Sequence, residues 1–400
     1  MSGEFAKFTQ VVARDCSRAT AGNTLYDVTA LSRVAVLGGG PDACLLAALC
    51  LAENADVTLF SAYGSELNQL KQSGGISLRG AGPVGSYQID RQGAPSIKTT
   101  AELDSAIADA EVIFLTGPIH KQRTYAMVLA SHLNDGQIVV LAPGRSLGAI
   151  ETAWHLRIGG CTADITIVET QGLPYWYDVK GVQLTLSHVD KVYAATLPSG
   201  RLDVIPRLQR FLPNLQAADS VLWSGFADGS ALVEVPALLL NGPAMSQGGV
   251  NIPLGGQALP ENNTFRSLIG AEQRSVIEKL ASERHAVASA FGLRNLPSCD
   301  DWVDVHAGAE RGDHSRPIPD QTQSQTLLRD GVIGSLVPLL SAARLTGIDV
   351  PMSQSMVTLA SSILGADVAA AGRRLDTIGI VESDIDSARK AMDNIAMGRR

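Results

Sequence analysis

The sequence lacks the marks of several protein classes. Its 400 residues contain only five cysteines, at Cys16, Cys44, Cys50, Cys161 and Cys299, and no two of them form a Cys-x-x-Cys pair. An odd and scattered set argues against a disulfide scaffold and against a structural zinc site, and it fits a reducing compartment. We therefore expect no bound metal and a cytoplasmic location.

Positive charge and long apolar runs are also scarce. The chain has 32 Lys and Arg against 40 Asp and Glu, a net charge of −8, which argues against general binding to nucleic acid or to an anionic membrane surface. The apolar run 231–240 is among the longest, but it contains Glu234 and is too short to span a bilayer. The expected partner is therefore a small molecule, with neither nucleic acid nor membrane, and homodimer formation stays open.

What the sequence does have is the composition of a globular protein, with 45% hydrophobic and 18% charged residues. A length of 400 residues exceeds one compact core and suggests two domains. From Arg33 onward, short apolar segments alternate with helical ones, which predicts an α/β fold with a Rossmann-type, doubly wound parallel sheet. The clearest predicted strands are 34–37, 56–60, 111–115, 137–141 and 164–168.

The pattern changes near residue 203, where strands give way to helical periodicity. We predict an N-terminal extension over 1–31, a Rossmann dinucleotide-binding domain over 32–203 and a mainly α-helical substrate and catalytic domain over 204–400. For the extension, a docked helix and a loose tail are equally compatible with the sequence. The polar segment 300–319, with His306 and His314, is predicted as a long loop of the kind that is often functional or mobile.

The clearest motif is Gly38-x-Gly40-x-x-Ala43, which follows the first predicted strand and opens the first predicted helix. In a dinucleotide-binding fingerprint the first glycine makes the tight turn, and the second lets the backbone N–H groups approach a pyrophosphate. The third position must be small so that the helix packs on the strand, and alanine satisfies this. The strand, turn and helix around the motif predict a nucleotide cofactor.

Two further positions bear on that cofactor. Ser61 stands at the end of the second predicted strand, where NAD enzymes usually carry a carboxylate for the ribose hydroxyls. It offers neither a carboxylate to repel a 2′-phosphate nor an arginine to bind one, so either cofactor is compatible and NADP is expected ahead of NAD. Pro118 follows the third predicted strand, where the backbone must come close to the nicotinamide half.

The order of motifs resembles the opine dehydrogenases of the octopine and nopaline type, from about Arg33 to about Gly379. In the first half, the resemblance is carried by the fingerprint, Gly117-Pro118-Ile119-His120, Ala142-Pro143-Gly144, Gly148-Ala149-Ile150-Glu151, Glu169-Thr170-Gln171-Gly172-Leu173-Pro174-Tyr175 and Ala194-Ala195-Thr196-Leu197-Pro198. In the second half, it is carried by Val235-Pro236, Leu239-Leu240-Asn241, Ala281-Ser282-Glu283-Arg284, Leu327-Leu328-Arg329-Asp330 and Leu336-Val337-Pro338.

The resemblance implies a Rossmann domain and a helical domain with a cleft between them. It also implies an enzyme that condenses the amino group of an amino acid with a 2-oxo acid and reduces the product with NAD(P)H. The family's catalytic pair is a His supported by an Asp, both in the second domain. The Asp matches Asp330, whereas the His position falls on Glu234, a departure that puts the acid–base chemistry in question.

Several roles for Glu234 are open. A glutamate can donate a proton near neutral pH only if burial or a neighbouring Asp330 raises its pKa, and the two carboxylates could then share one proton. Alternatively, Glu234 could bind a cationic amine or imine, or the ancestral chemistry could be altered or lost. The candidate substrate-binding residues are His120, Arg145 and Tyr175.

The leading interpretation is an NAD(P)-dependent oxidoreductase that reduces a C=N or C=O bond. A second is another Rossmann chemistry, such as reduction of an oxo acid with Glu234 as the acid. A third is a non-catalytic nucleotide-binding or sensor protein that has lost the family's His. Fold alone does not decide among the three.

Overall fold

The computed structural model describes residues 31–245, 263–381 and 384–396. The predicted extension lies outside these ranges, apart from its last residue. The chain separates into the units Met1–Leu31 and Ser32–Arg400, and the second unit is described below.

The predicted sheet is confirmed as an eight-stranded sheet in the order β12-β11-β8-β7-β6-β1-β2-β5. Neighbouring strands pair in parallel except β11, which runs antiparallel to β8. Its strands are β1 (Arg33–Leu37), β2 (Asp56–Phe60), β5 (Lys98–Thr100), β6 (Val112–Leu115), β7 (Ile138–Leu141), β8 (Thr166–Thr170), β11 (Val192–Leu197) and β12 (Leu215–Ala217).

Burial explains the central strands. Every residue of β6 and β7 is buried, and so is β1 after its first residue. A parallel strand that is covered on both faces is a continuous run of apolar residues, and for this reason these strands could be predicted from the sequence. The helices that follow the strands are α1 (Pro41–Ala52), α2 (Gly64–Ser73), α3 (Leu103–Ile107), α4 (Ile119–Leu129) and α5 (Gly148–Ile158).

A second sheet of four strands, in the order β4-β3-β10-β9, was not predicted. Its strands are β3 (Gly75–Gly80), β4 (Gly85–Gln88), β9 (Tyr175–Lys180) and β10 (Gln183–His188). Glycine, serine and glutamine in β3 and β4 give no continuous apolar run and only weak alternation, so neither strand stands out in the sequence. β10 pairs in parallel with β3 and antiparallel with β9.

The rest of the described chain is mainly helical, as predicted. Its helices are α6 (Val204–Leu208), α7 (Val221–Ala227), α8 (Ser230–Met245), α9 (Ala271–Ala290), α10 (Cys299–Ala307), α11 (Gln321–Gly331), α12 (Val337–Thr346), α13 (Pro351–Leu364), α14 (Val368–Ala371) and α15 (Ile385–Ala396). β12 joins the large sheet after residue 203, and the boundary at that residue stays a prediction.

One helical segment differs from expectation, and a second is unusually long. The prediction of one long loop over 300–319 is wrong at its start, because α10 occupies it. The Ser298 side chain accepts a hydrogen bond from the Asp301 N–H at 3.1 Å and caps that helix. Farther on, α11, a π-helical turn (Val332–Leu336) and α12 form one run, Gln321–Thr346. This run is apolar enough for a membrane span, but 78% of its most apolar window is buried inside the protein, the position of a core helix.

Candidate active site

A cavity of about 320 Å3 lies at the carboxyl ends of the central strands. Gly40 follows β1, residues 116–118 follow β6 and Pro143 follows β7, and all of them line the cavity. On the helical side, α8 contributes Glu234 and α11 contributes Asp330. Ligands of open α/β sheets bind at this edge of the sheet, so this cavity is the candidate active site.

The glycine turn after β1 has the geometry that its sequence predicts. Gly38 has a φ of +139°, and a Cβ there would collide with the Thr116 hydroxyl, so only glycine fits. A Cβ on Gly40 would point into open space at the N-terminus of α1. Ala43 is fully buried. The turn therefore leaves free backbone at a helix N-terminus, which is what a pyrophosphate requires.

Ser61 lies where the ribose position was expected, but it is already engaged. It is fully buried, and its hydroxyl donates a hydrogen bond to Glu66 Oε2 at 2.5 Å. Pro118 lines the cavity at the start of α4. Glu66 was not predicted, because it lies in the first turn of α2, five positions after Ser61, and not directly after β2.

Glu234 sits between two guanidinium groups. Its side chain is 6% exposed, with Oε2 3.2 Å from Arg145 Nη1 and Oε1 2.9 Å from Arg316 Nη2. Burial alone would raise the pKa of Glu234, but Arg145 and Arg316 outweigh it and hold the pKa below its usual 4.5. The condition for proton donation by Glu234, a raised pKa, is therefore not met, since the two arginines favour the ionised carboxylate.

Arg145 reaches the cavity from the turn after β7, in the left-handed backbone region with a φ of +58°. Its Nη1 also donates a hydrogen bond to the Ser230 hydroxyl. Its Nε is buried, and no hydrogen-bond partner is found for it in the part of the chain that the structure describes. A buried guanidinium with a spare donor is suited to a carboxylate ligand.

Arg316 comes from the loop after α10 and was not predicted. Its guanidinium lies 4.1 Å from the centre of the Phe265 ring and donates a hydrogen bond to the His306 carbonyl oxygen at 2.6 Å. The buried Asp228, as well as the paired glutamate, acts electrostatically on the Arg145 guanidinium. The two guanidiniums at the cavity wall are nonetheless donors suited to a carboxylate ligand.

Asp330 has the opposite electrostatics from Glu234. It is 8% exposed, and its Oδ1 accepts a hydrogen bond from the Ile119 N–H at 3.4 Å. Burial raises its pKa to about 7, against the lowering effect of Arg145. The two carboxyls titrate far apart, and Asp330 is the one suited to hold a proton near neutral pH.

The remaining candidates divide between the cavity and the surface. Tyr175 lines the cavity, and so does the neighbouring Trp176, whereas His120 is exposed at the start of α4 and is not among the lining residues. His306, in the last turn of α10, lines the cavity, and burial lowers its pKa to about 4, so its ring is neutral at pH 7. In the described ranges, no three His, Cys, Asp or Glu side chains are placed to hold a metal ion.

Arg316 and His306 lie in a segment that the sequence indicated as functional, although their contacts could not be predicted. Both lie in the segment 300–319, which its polarity and length marked for attention. No periodicity marks an arginine that folds inward from a loop, so its pairing with Glu234 could not be predicted from spacing.

Comparison with known proteins was made for sequence and for fold. No family model matches the chain. An opine dehydrogenase of Arthrobacter sp. (strain 1C) is 24% identical over 373 residues, which cover 90% of this chain and 98% of that protein. The resemblance that the motifs indicated is thus confirmed along nearly the whole length.

Solved structures agree on the fold. An octopine dehydrogenase in complex with NADH and pyruvate has a TM-score of 0.65 at 17% identity, covering 92% of this chain and 98% of that one. A yersinopine dehydrogenase with NADP+ bound has a TM-score of 0.58 at 15% identity, covering 92% and 99%. The Rossmann-type sheet followed by a helical part is therefore the fold of these dehydrogenases.

Proposed function

We propose that this chain is an NAD(P)-dependent oxidoreductase of the opine dehydrogenase type, which joins an amino acid to a 2-oxo acid by reducing the C=N bond between them. The observation that carries the proposal is the cavity itself. It connects the glycine turn with the paired arginines and with Asp330 in one space.

The residues at the strand ends fit a dinucleotide. Gly38 and Gly40 leave the backbone of the turn open, and the first turn of α1 would offer its free N–H groups to a pyrophosphate. Pro118 lines the same cavity and would lie beside the nicotinamide half. When bound, the reduced cofactor supplies a hydride to the substrate carbon. Both NAD and NADP are compatible with these residues alone.

Arg145 and Arg316 are the proposed carboxylate-binding residues. Both substrates carry a carboxylate, and the arginine side chains are held at the cavity wall by Glu234. Glu234 acts here as a positioning residue, since its two oxygens fix two guanidiniums in one geometry. This role replaces the proton-donor role that the sequence left open.

Asp330 is the proposed proton donor. When the amine attacks the oxo carbon, the resulting hydroxyl leaves as water only after it gains a proton, which the neutral Asp330 carboxyl can supply. Loss of water leaves a C=N bond whose nitrogen keeps one hydrogen and a positive charge, so that hydride addition gives the secondary amine. The Asp330 carboxylate regains its proton from the ammonium group of the next amino acid, which must lose one proton before it can attack. The same group could protonate the oxygen of a reduced C=O bond, the alternative substrate class.

The cavity walls bear on the amino-acid side chain. Leu173, Trp176, Val192, Pro317 and Leu327 line it with apolar surface. Apolar side chains gain free energy when they leave water for such a surface, whereas charged ones lose it. We therefore propose an amino acid with an apolar side chain as the amine donor.

The test is oxidation of NADH and NADPH, followed at 340 nm, over a matrix of amino acids and 2-oxo acids. Turnover that requires both an apolar amino acid and a 2-oxo acid supports the proposal. Turnover with an oxo acid alone would indicate simple C=O reduction. Nucleotide binding without turnover on any pair would contradict the enzyme assignment and favour the sensor interpretation.

Location and assembly belong to the same proposal. A cytoplasmic site of action is proposed from the scattered cysteine pattern, and homodimer formation stays open. Fractionation of cells and the molar mass in solution by light scattering test these two points.

A further inference from the structure

We infer that Glu66 recognises the 2′-hydroxyl of the adenosine ribose and thereby makes this chain select NAD(H) over NADP(H). The inference rests on the proposed dinucleotide site and adds the residue that would read the ribose. It reverses the expectation drawn from Ser61, which favoured NADP.

The first step is the position of Glu66 in the fold. β2 ends at Phe60, and α2 begins at Gly64, so Glu66 stands in the first turn of the helix that follows β2. The Ser61 hydroxyl donates to Glu66 Oε2 at 2.5 Å. This hydrogen bond brings the carboxylate back to the end of β2, the place where ribose-reading carboxylates stand in Rossmann folds.

The second step is the contact between Glu66 and the glycine turn. A Cβ on Gly39 would lie only 2.8 Å from Glu66 Cβ and would collide with the carboxylate. The Gly38 N–H donates to the Phe60 carbonyl oxygen at 2.9 Å and holds the turn against β2. Glu66 therefore lies directly on the middle residue of the fingerprint, beside the proposed pyrophosphate position.

The third step is the charge around this position. The Glu66 side chain is 29% exposed, so a ligand can reach it, and its Oε1 lies 3.5 Å from Lys121 Nζ. Lys121 in turn lies over the Tyr63 ring, 4.7 Å from its centre. Lys121 thus already contacts both the Glu66 carboxylate and the Tyr63 ring. A ribose hydroxyl could donate to Glu66, whereas a 2′-phosphate would meet its negative charge.

The test measures binding with ADP-ribose and 2′-phospho-ADP-ribose, which differ only in the phosphate and do not involve the reaction. Isothermal titration of the full chain should give a dissociation constant at least about tenfold lower for ADP-ribose, since the ribose hydroxyl can donate to the Glu66 carboxylate, whereas a 2′-phosphate beside it has a charge of the same sign. NADH and NADPH should show the same order.

The matched variants are Glu66→Gln and Glu272→Gln. Glu272 is also in the first turn of a helix, but it is exposed and remote from the cavity lining. Glu66→Gln should weaken ADP-ribose binding several-fold and bring the two dissociation constants close together. Glu272→Gln should change neither.

Three outcomes are decisive. Equal or tighter binding of the 2′-phosphorylated ligand by the wild type overturns the inference and leaves the dinucleotide site standing. An unchanged ratio in a folded Glu66→Gln variant also overturns it. Binding of neither ligand nor of NADH overturns the proposed function together with this inference. If Glu66→Gln does not fold, the wild-type ratio alone decides.

Discussion

Replacing Glu234 with Gln tests the assignment of this residue as an ion-pair partner and not as an acid. The variant removes the charge that contacts both Arg145 and Arg316, at 3.2 and 2.9 Å, where all three side chains are 6% exposed. Removing one partner of a buried ion pair costs about 3–5 kcal/mol. The Gln oxygen can still accept one hydrogen bond, which returns about 1 kcal/mol. The free energy of unfolding should therefore fall by about 2–4 kcal/mol.

Urea unfolding followed by circular dichroism measures this loss. With a slope of about 3 kcal/mol per molar urea for a chain of this size, the midpoint should move down by roughly 1 M. Glu272→Gln makes the same chemical change on an exposed helix turn, and its effect should stay within about 0.5 kcal/mol. Coincident fluorescence and dichroism transitions are needed before the shift is converted to a free energy.

The pH dependence of the loss has a defined sign. The pKa of Glu234 is below its usual 4.5 in the folded protein. Its ionised form therefore stabilises the fold above about pH 4.5, and this contribution disappears as the pH falls through the folded-state pKa. The difference between wild type and variant should be full at pH 7 and shrink in acid. A Gln variant as stable as the control, yet a hundredfold less active, would refute the ion-pair assignment and restore Glu234 as the acid.

Three further changes test the rest of the site. Asp330→Asn should lower turnover by roughly a hundredfold. The wild-type rate should fall as the pH rises through about 7, the pKa of the Asp330 carboxyl, and the variant should lose this fall; a pH–rate profile that still falls near pH 7 in the variant would contradict the assignment. Gly40→Val should abolish ADP-ribose binding in a titration while the dichroism spectrum stays unchanged, because its side chain enters the open space at the turn. Arg316→Lys should raise the KM for the 2-oxo acid at least about tenfold with less effect on kcat, since lysine cannot make the paired hydrogen bonds; an unchanged KM would exclude Arg316 from carboxylate binding.

The parts of the fold that were predictable are those that burial determines. The residues of β1, β6 and β7 are apolar because both faces of the sheet are covered, and the turn at Gly38 is glycine because its backbone and its neighbour Thr116 allow nothing else. These constraints act on neighbouring residues, so the sequence displays them directly. The four-stranded sheet was not predicted, because its strands β3 and β4 contain few apolar residues.

Some residues of the site were predictable from the sequence, but their pKa values were not, because the electrostatics depend on residues that are far apart in sequence. Glu234 and Asp330 were found by their positions in the resemblance, but the pKa of each follows from partners that spacing does not reveal. Arg145 and Arg316 together lower the pKa of Glu234 against the effect of burial, whereas burial raises the pKa of Asp330. Glu66 was missed for a different reason. It is only five positions after Ser61, but the first turn of α2 is needed to bring its carboxylate back to the end of β2.

The Arg145–Glu234–Arg316 group also has a consequence for how the protein reaches its native state. Its two ion pairs join residues 89 and 82 positions apart, from the turn after β7, from α8 and from the loop after α10. Contacts of such long sequence separation form only after large loops have closed. We therefore expect this group to assemble late, so that during refolding the recovery of substrate binding should lag behind the recovery of helical dichroism.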